Sequence, residues 1–159
     1  MPDSVGANSR TVVHKSSNGI TIAFPDVCLT PAPPAPPIPI PYPNIALSSD
    51  SDKGAKKVKV KGKPLLHKNS NFSTSTGDEP GTSKGIVSAK TKGKAEFVSF
   101  SFDVKVEGKG VVRAFDLMLH NNKNTPPFPL IQAPLLVIPP LPPPPVIPLE
   151  WKPIKIEVL

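Results

Sequence analysis

Two stretches of this chain read almost alike: VKVKGKPLLH at residues 58–67 and VKVEGKGVVR at residues 104–113. Their first six residues match at five positions, and in each copy valine and charged residues alternate before a glycine. Alternation with period two is typical of a half-buried β-strand, and glycine tolerates the positive φ of a tight turn. Simple hairpin composition could produce the same likeness. Each copy is predicted to form a strand, a glycine turn and a return strand, as in a fold of pseudo-symmetric sheets.

The surrounding sequence also favours strands. Residues 97–107 (FVSFSFDVKVE) alternate over eleven positions and predict a long strand with Val98, Phe100 and Phe102 on its apolar face. Ser16–Gly19 predicts a hairpin turn between two short strands, and Gly77–Gly81 is a further dense turn signal. No segment of comparable length combines helical periodicity with caps. The predicted fold class is all-β.

Proline divides the chain. Of 24 prolines, eight lie between Pro31 and Pro43 and twelve between Pro126 and Pro153. Proline cannot donate a hydrogen bond, so the first tract is predicted to run as polyproline II along the core surface rather than as a central strand; a flexible linker is the alternative. The predicted organisation is a domain over residues 1–125 and a proline-rich tail over 126–159.

Charge and composition argue against several partners. The net charge of +7 comes mainly from lysine, and two arginines with few aromatics do not suit nucleic-acid binding. Proline interrupts the apolar stretch 134–148 too often for a membrane helix. The first residues lack a signal peptide's basic and apolar regions, and a single cysteine excludes an internal disulfide. We therefore expect synthesis in a reducing cytoplasm, and any export without a cleaved leader.

The soft metal ligands of the chain are three histidines and one cysteine: His14, Cys28, His67 and His120. This donor set suits a closed tetrahedral zinc site that contributes folding energy and leaves no position for water. The four residues are spread over more than a hundred positions, so a site would assemble only in the folded chain. The alternative is that Cys28 is a small buried apolar residue and the histidines are core or surface groups.

A family resemblance rests on an ordered set of motifs. The repeated stretches resemble degenerate Pro-Ala-Ala-Arg motifs, the first keeping Pro64 and the second Arg113, which Phe115-Asp116 follows. Further matching segments are Thr11–Lys15, Phe24–Cys28, Pro39–Asn44, Ser73–Gly81 and His120-Asn121. Over about residues 5–124 the chain resembles the PAAR-like proteins, relatives of the spike tips of contractile injection machines.

The resemblance implies a small cone-shaped, or pyramidal, all-β fold with one structural Zn²⁺ at its vertex. His14, Cys28, His67 and His120 would be the ligands, with Asp116 a possible replacement for His67. It also implies a function without catalysis: one copy would cap the trimeric VgrG-type spike of a type VI secretion system or a related machine. The tip would be made in the bacterial cytoplasm and delivered into the target cell. The tail over residues 126–159 lies outside the resemblance, and we expect it to be an adaptor for an effector or chaperone, or a strap along the spike.

Two other functions remain open at the level of sequence. A zinc-dependent hydrolase could use Asp78, Glu79 or Asp116 as general base, but no H-E-x-x-H or H-x-E motif supports it. A proline-rich adaptor could dock Pro142–Pro145 into an aromatic groove, although this leaves the β-patterned region unexplained.

Overall fold

The computed structural model describes residues 5–137 and 140–146, and this part of the chain consists of β-strands, turns and one short 3-10 helix (Ser48–Asp50), without an α-helix. The all-β prediction is confirmed. In chain order the strands are β1 (Gly6–Ala7), β2 (Arg10–Thr11), β3 (Ile20–Ala32), β4 (Ala35–Leu47), β5 (Ser51–Asp52), β6 (Lys59–Val60), β7 (Lys63–Pro64), β8 (Asn71–Phe72), β9 (Ala95–Phe97), β10 (Lys105–Val106), β11 (Lys109–Gly110), β12 (Leu117–Leu119) and β13 (Phe128–Pro129). Within the described ranges no helix is long and apolar enough to span a membrane.

Three short hairpins share one design. β1 pairs with β2, β6 with β7 and β10 with β11, each antiparallel through two residue pairs. Both turn residues have positive φ in every copy: Asn8 53° and Ser9 62°, Lys61 49° and Gly62 74°, Glu107 50° and Gly108 78°. Consecutive residues of this kind form a type I′ turn, whose twist suits a hairpin. The two repeated stretches are therefore hairpins as predicted, and residues 6–11 form a third copy.

The segments that follow the hairpins close into a ring. The Val13 N–H donates to the Val112 carbonyl (N–O 3.2 Å), Val112 donates to Leu66 (3.4 Å), and Leu66 donates to Val13 (3.0 Å). Three bridges repeat the same cyclic order: Val12 with Arg113, His14 with Leu65 and His67 with Val111. The hairpins and this ring are thus related by a pseudo-threefold axis.

Two apolar layers lie on opposite sides of the ring, because successive side chains of an extended segment point to opposite faces. The first layer is built mainly from threefold-related residues: Ala7, Val60 and Val106, with Val12, Leu65 and Val111. The second layer takes Val13, Leu66 and Val112 and adds residues without symmetry mates, among them Phe72, Met118 and Leu130. The threefold pattern therefore belongs to one end of the domain, which we call the base.

The proline tract does not run as isolated polyproline II. Residues 35–47 form β4, which pairs with β3 in a long antiparallel ribbon. Prolines occupy every second position from Pro37 to Pro43, whereas Ile38, Ile40 and Tyr42 stand opposite Thr30, Cys28 and Asp26. Ile45 bonds Thr76 on the far edge of β4, so the odd-numbered residues face away from β3. The missing N–H groups thus fall on the outer edge, where proline is tolerated in a strand.

Two other sequence predictions need correction. The expected strand over 97–107 ends at Phe97, because the Ser101 hydroxyl and the Asp103 carboxylate accept the Val104 N–H and turn the chain. Phe102 is consequently 87% exposed rather than on a buried face. The Ser16–Gly19 turn does not join a hairpin, since β2 pairs with β1 and β3 with β4.

The beginning of the proline-rich tail packs as part of the domain. β13 is the edge of a five-stranded antiparallel sheet of order β13-β12-β9-β8-β5, and Leu130 is fully buried in the second core layer. Ile131 then exchanges two backbone hydrogen bonds of 2.8 Å with Ile20. The sequence boundary at 125/126 remains a prediction about domain organisation, but residues 128–137 are integral to the described structure.

We expect Leu66→Ala to lower the free energy of unfolding by about 2–5 kcal/mol, because it leaves a cavity beside the ring. Leu66 is 1% exposed, whereas Val87 is 73% exposed and Val87→Ala is the matched control, expected to change stability by under about 0.5 kcal/mol. Urea denaturation measures both. A loss below about 1 kcal/mol for Leu66→Ala would contradict the assignment of the Leu66 side chain to the second core layer.

Candidate functional site

His14 and His67 occupy equivalent positions in the threefold core. Both are buried, and each ring Nδ1 accepts the backbone N–H two residues later, at 3.2 Å from Ser16 and from Asn69. The hydroxyls of Ser17 and Ser70 complete the two turns, because each accepts the backbone N–H of its histidine. Burial lowers the pKa of His67. Both rings therefore act first as turn-forming groups in the base half of the domain.

The third equivalent position holds an ion pair. The Asp116 carboxylate accepts the Arg113 backbone N–H at 2.6 Å and the Arg113 guanidinium at 3.1 Å through both oxygens. Arg10 lies 3.4 Å from the same carboxylate. The Asp116 oxygens are thus engaged by two arginines, which disfavours the role of replacement metal ligand.

His120 lies outside the threefold pattern and is fully buried. Its Nε2 lies 3.1 Å from the Thr21 hydroxyl, and its Nδ1 has no hydrogen-bond partner among the described residues. Burial lowers the pKa of His120 to about 4, partly opposed by the negative charge of Asp26. The ring is therefore neutral at pH 7 and can act as a base or a ligand.

Cys28 belongs to a buried polar cluster with Asp26 and Asp78, which we call the acidic cluster. One ligand atom of each lies within 4.8 Å of the others, and each residue is 0% exposed. The Cys28 Sγ is 3.6 Å from Asp26 Oδ1 and 3.8 Å from Asp78 Oδ2. Asp26 and Cys28 point the same way because they are two positions apart on β3. The sequence signal for this pair was the D-x-C spacing in a strand, whereas Asp78 is brought in by a loop.

Amide groups surround the acidic cluster. Asn44 Nδ2 donates to Asp26 Oδ2 at 2.6 Å, while Asn121 and Asn124 donate to Asp26 Oδ1. The Lys92 backbone N–H lies 3.1 Å from both oxygens of Asp78. The Asn44 Oδ1 is buried and has no partner among the described residues. The hydrogen-bond donors to these two carboxylates are thus neutral amide groups and not cationic side chains.

Buried anions without a paired cation take up protons more readily. Burial raises the pKa of Asp78 to about 6, and Asp26 adds to the effect. Burial, together with the charges of Asp26 and Asp78, raises the pKa of the Cys28 thiol to about 12. At pH 7 the Cys28 thiol therefore keeps its proton in the metal-free protein, and a divalent cation would compete with that proton.

The structure does not bring the four sequence-predicted ligands together. Among the described residues, the acidic cluster is the one group of three or more histidine, cysteine, aspartate or glutamate side chains with metal-binding spacing. It contains Cys28 but none of the histidines. Zinc binding by His14, Cys28, His67 and His120 remains a prediction.

A second candidate site, an exposed surface, lies at the base. Val5, Val58 and Val104 are threefold mates at the starts of the hairpins, each with its carbonyl accepting an N–H from the return segment. They are 41%, 41% and 37% exposed. Phe102, at 87% exposed, lies just before the third hairpin. A half-exposed apolar ring backed by a buried layer has the composition of a protein-binding surface.

The fold, the buried acidic cluster and the apolar surface at the base define the class of protein: a small all-β domain with a pseudo-threefold base and a long two-stranded ribbon. The profile of the Toxin PAAR-like domain family matches residues 19–127. The chain belongs to this family, which confirms the resemblance.

A named relative is the DNase toxin Tse7 of Pseudomonas aeruginosa, 48% identical over 142 residues. The match covers 82% of this chain and 37% of the relative, so the chain spans little more than a third of that protein's length. No solved structure matches the chain.

Two substitutions should separate the opposing pH effects of Asp78 and His120 in chelator-treated protein. Asp78 binds its proton more tightly in the folded state (pKa about 6 against 3.8), so this group lowers the free energy of unfolding as pH rises from 4 to 6. His120 binds its proton less tightly (about 4 against 6.5), so it lowers stability as pH falls from 6.5 to 4.

The Asp78→Asn variant keeps His120, so its free energy of unfolding should rise with pH relative to that of His120→Gln, which keeps Asp78. Between pH 4 and 6.5 the difference between the two free energies of unfolding should change by several kcal/mol, since one pKa unit corresponds to about 1.4 kcal/mol. Denaturant titrations at pH 4, 5, 6 and 7 measure it, and subtraction removes contributions that the variants share. Parallel profiles would contradict the assignment.

Proposed function

We propose that this chain is a non-enzymatic tip that caps the trimeric VgrG-type spike of a type VI secretion system or a related contractile injection machine. The observation that carries the proposal is the pseudo-threefold base. A single chain normally presents three different faces to a symmetric trimer. Here three similar hairpins let one copy meet three identical subunits with nearly equivalent contacts. Membership of the Toxin PAAR-like domain family supports the same reading.

The base offers suitable chemistry for this contact. Its apolar centre is the ring of Val5, Val58 and Val104, and Phe102 is an exposed aromatic of the kind that anchors interfaces. Three exposed lysines, Lys59, Lys61 and Lys63, surround the second hairpin. The other two hairpins carry fewer cations. An acidic rim on the spike subunits would therefore attract this hairpin and speed association.

The other end of the domain suits a stiff, pointed structure. The β3–β4 ribbon contains thirteen residues in each strand, and its outer half from Thr30 to Ile38 is largely exposed. Alternating proline limits backbone freedom there and leaves no N–H row to pair with another strand. A ribbon of this kind would keep its form under force and resist aggregation.

A structural metal would fit the acidic cluster better than the predicted histidine set. A thiolate and two carboxylates are accepted ligands of Zn²⁺, and a cation would offset the buried negative charge. Asp26, Cys28 and Asp78 would hold the ion. The ion would stabilise the part of the β3–β4 ribbon around Asp26 and Cys28, where polar groups replace an apolar core.

The name of the relative, DNase toxin, suggests that this chain is the delivery part of a nuclease toxin. We assign no nuclease or hydrolase chemistry to the described residues. Asp26, Cys28, Asp78 and His120 are each 0% exposed, so a phosphodiester could not reach them without local opening. Made in the bacterial cytoplasm, the tip would enter the target cell with its effector.

Val58→Glu should weaken binding to a VgrG-type trimer at least tenfold, because the carboxylate would be desolvated against an apolar surface. Phe102→Ala should weaken it by a similar factor through lost packing. Val87→Glu is the control, since Val87 is 73% exposed and not part of the base ring. Biolayer interferometry with immobilised trimer measures all three. Unchanged affinity of Val58→Glu would remove the base from the interface.

Purified protein should contain about one zinc per chain by elemental analysis, as expected for a structural site. Cys28→Ser should lose most of the zinc and melt at a lower temperature, whereas His67→Asn should retain it. Loss of zinc from His67→Asn would instead favour the sequence-predicted ligand set. Folded protein free of zinc, with a melting temperature insensitive to chelator, would exclude both metal sites.

A further inference from the structure

A polar cavity lies between the third hairpin and the segment that precedes the second hairpin. It has a volume of about 440 Å³ and opens to solvent. The proposed function gives this cavity no role. Its lining includes Lys53, Lys56, His67, Asn69, Glu107 and Lys109.

Hydrogen bonds to the backbone hold the walls of the cavity together. The Lys68 N–H donates to the Gly110 carbonyl at 2.9 Å, which joins the His67 turn to the third hairpin. The Glu107 carboxylate accepts the backbone N–H groups of Lys57 at 2.8 Å and of Lys56 at 3.1 Å. These two bonds lower the pKa of Glu107, so the carboxylate is ionised and already engaged. The shape of the cavity is therefore set before any ligand arrives.

His67 is the buried polar residue of this cavity, with 3% of its surface exposed. Its Nδ1 accepts the Asn69 N–H, and burial, with a smaller effect of the Lys109 charge, lowers its pKa. The ring is therefore neutral at pH 7 and carries its proton on Nε2. Among the described residues no acceptor bonds this Nε2–H. A fixed donor thus faces the cavity without an acceptor from the chain.

The equivalent residue Arg113 does receive an acceptor. Its guanidinium donates to the side-chain oxygen of Asn8, the first turn residue of the first hairpin. Glu107 is the first turn residue of the third hairpin, but its carboxylate bonds the backbone at residues 56 and 57. The threefold pattern therefore supplies an internal acceptor to Arg113 and withholds one from His67.

The charge of the cavity indicates an anionic ligand. Three ammonium groups, those of Lys53, Lys56 and Lys109, line it with one carboxylate. Lysine binds phosphate as a point charge, and a phosphate group offers three or more acceptor oxygens where a carboxylate offers two. Three lysines and a histidine donor therefore suit phosphate better. The volume lies in the range of small-molecule sites, so it has room for a larger molecule that carries the phosphate.

We propose that this cavity is a binding site for the phosphate group of an organic phosphate. The His67 Nε2–H supplies the fixed donor, and the three lysines supply the charge. A soluble phosphorylated molecule and the headgroup of a phospholipid both offer this group. The site needs no contact with the spike, so the proposed function and this site are tested separately.

Calorimetric titration of the full chain with glycerol 3-phosphate tests the site. His67→Asn should weaken binding about tenfold, because a charge-assisted hydrogen bond is lost. Asparagine can still accept the N–H two residues later, so the turn should persist. Lys53→Gln combined with Lys109→Gln should weaken binding by at least the same factor. Lys84→Gln combined with Lys90→Gln is the control, since it removes equal charge from exposed positions outside the cavity lining and should change Kd less than about twofold.

Imidazole ¹⁵N spectra provide a readout of direct contact. Addition of glycerol 3-phosphate should shift the Nε2 resonance of His67, while those of His14 and His120 stay in place. Equal Kd values for the parent chain and His67→Asn would overturn the site. So would equally tight binding of acetate, or a parent Kd above about 10 mM.

Flotation with phosphatidylcholine vesicles, with or without an equal part of phosphatidic acid, separates the two sources. Flotation that requires phosphatidic acid and is lost in His67→Asn would assign the site to a lipid headgroup. Binding of glycerol 3-phosphate without such flotation would assign it to a soluble phosphorylated molecule. Flotation that persists in both His67→Asn and the cavity lysine variant would count against the cavity.

Discussion

Three backbone hydrogen bonds close a ring through Val13, Leu66 and Val112, and the rest of the domain is arranged around it. Each segment donates to one neighbour and accepts from the other, so none can shift register without breaking two bonds. A type I′ hairpin precedes each segment and supplies one side chain (Ala7, Val60 or Val106) to the first core layer. A small domain has little volume for an apolar core, and this closed arrangement uses it efficiently.

The ring also explains the division between the two ends of the molecule. On the base side, repetition produces similar apolar surfaces around one axis. On the other side of the ring, Phe72, Met118 and Leu130 have no symmetry mates in the second core layer. The β3–β4 ribbon likewise occurs once and is not repeated around the axis. There Asp26, Cys28 and Asp78 are held by amides instead of apolar packing. The base therefore has the symmetry needed to contact a trimeric partner, and the ribbon has the form needed for the pointed end of the proposed tip.

The sequence predicted the all-β class and two of the hairpins, because these depend on local patterns. It missed the first hairpin because Asn8-Ser9 replaces the lysine-glycine or glutamate-glycine turn, although Val5, Val12 and Val13 keep the spacing of Val104, Val111 and Val112. It did not indicate that His14 and His67 hold equivalent turns, and zinc binding by these residues stays a prediction. Asp78 joins Cys28 from fifty residues away, and no local pattern indicates such a contact.

Native mass spectrometry of the chain mixed with a VgrG-type trimer tests the central claim most directly. The account predicts one added mass of 16.9 kDa per trimer, because three hairpins of one chain occupy three equivalent sites. Three added chains per trimer, or none under conditions where both components are folded, would contradict it.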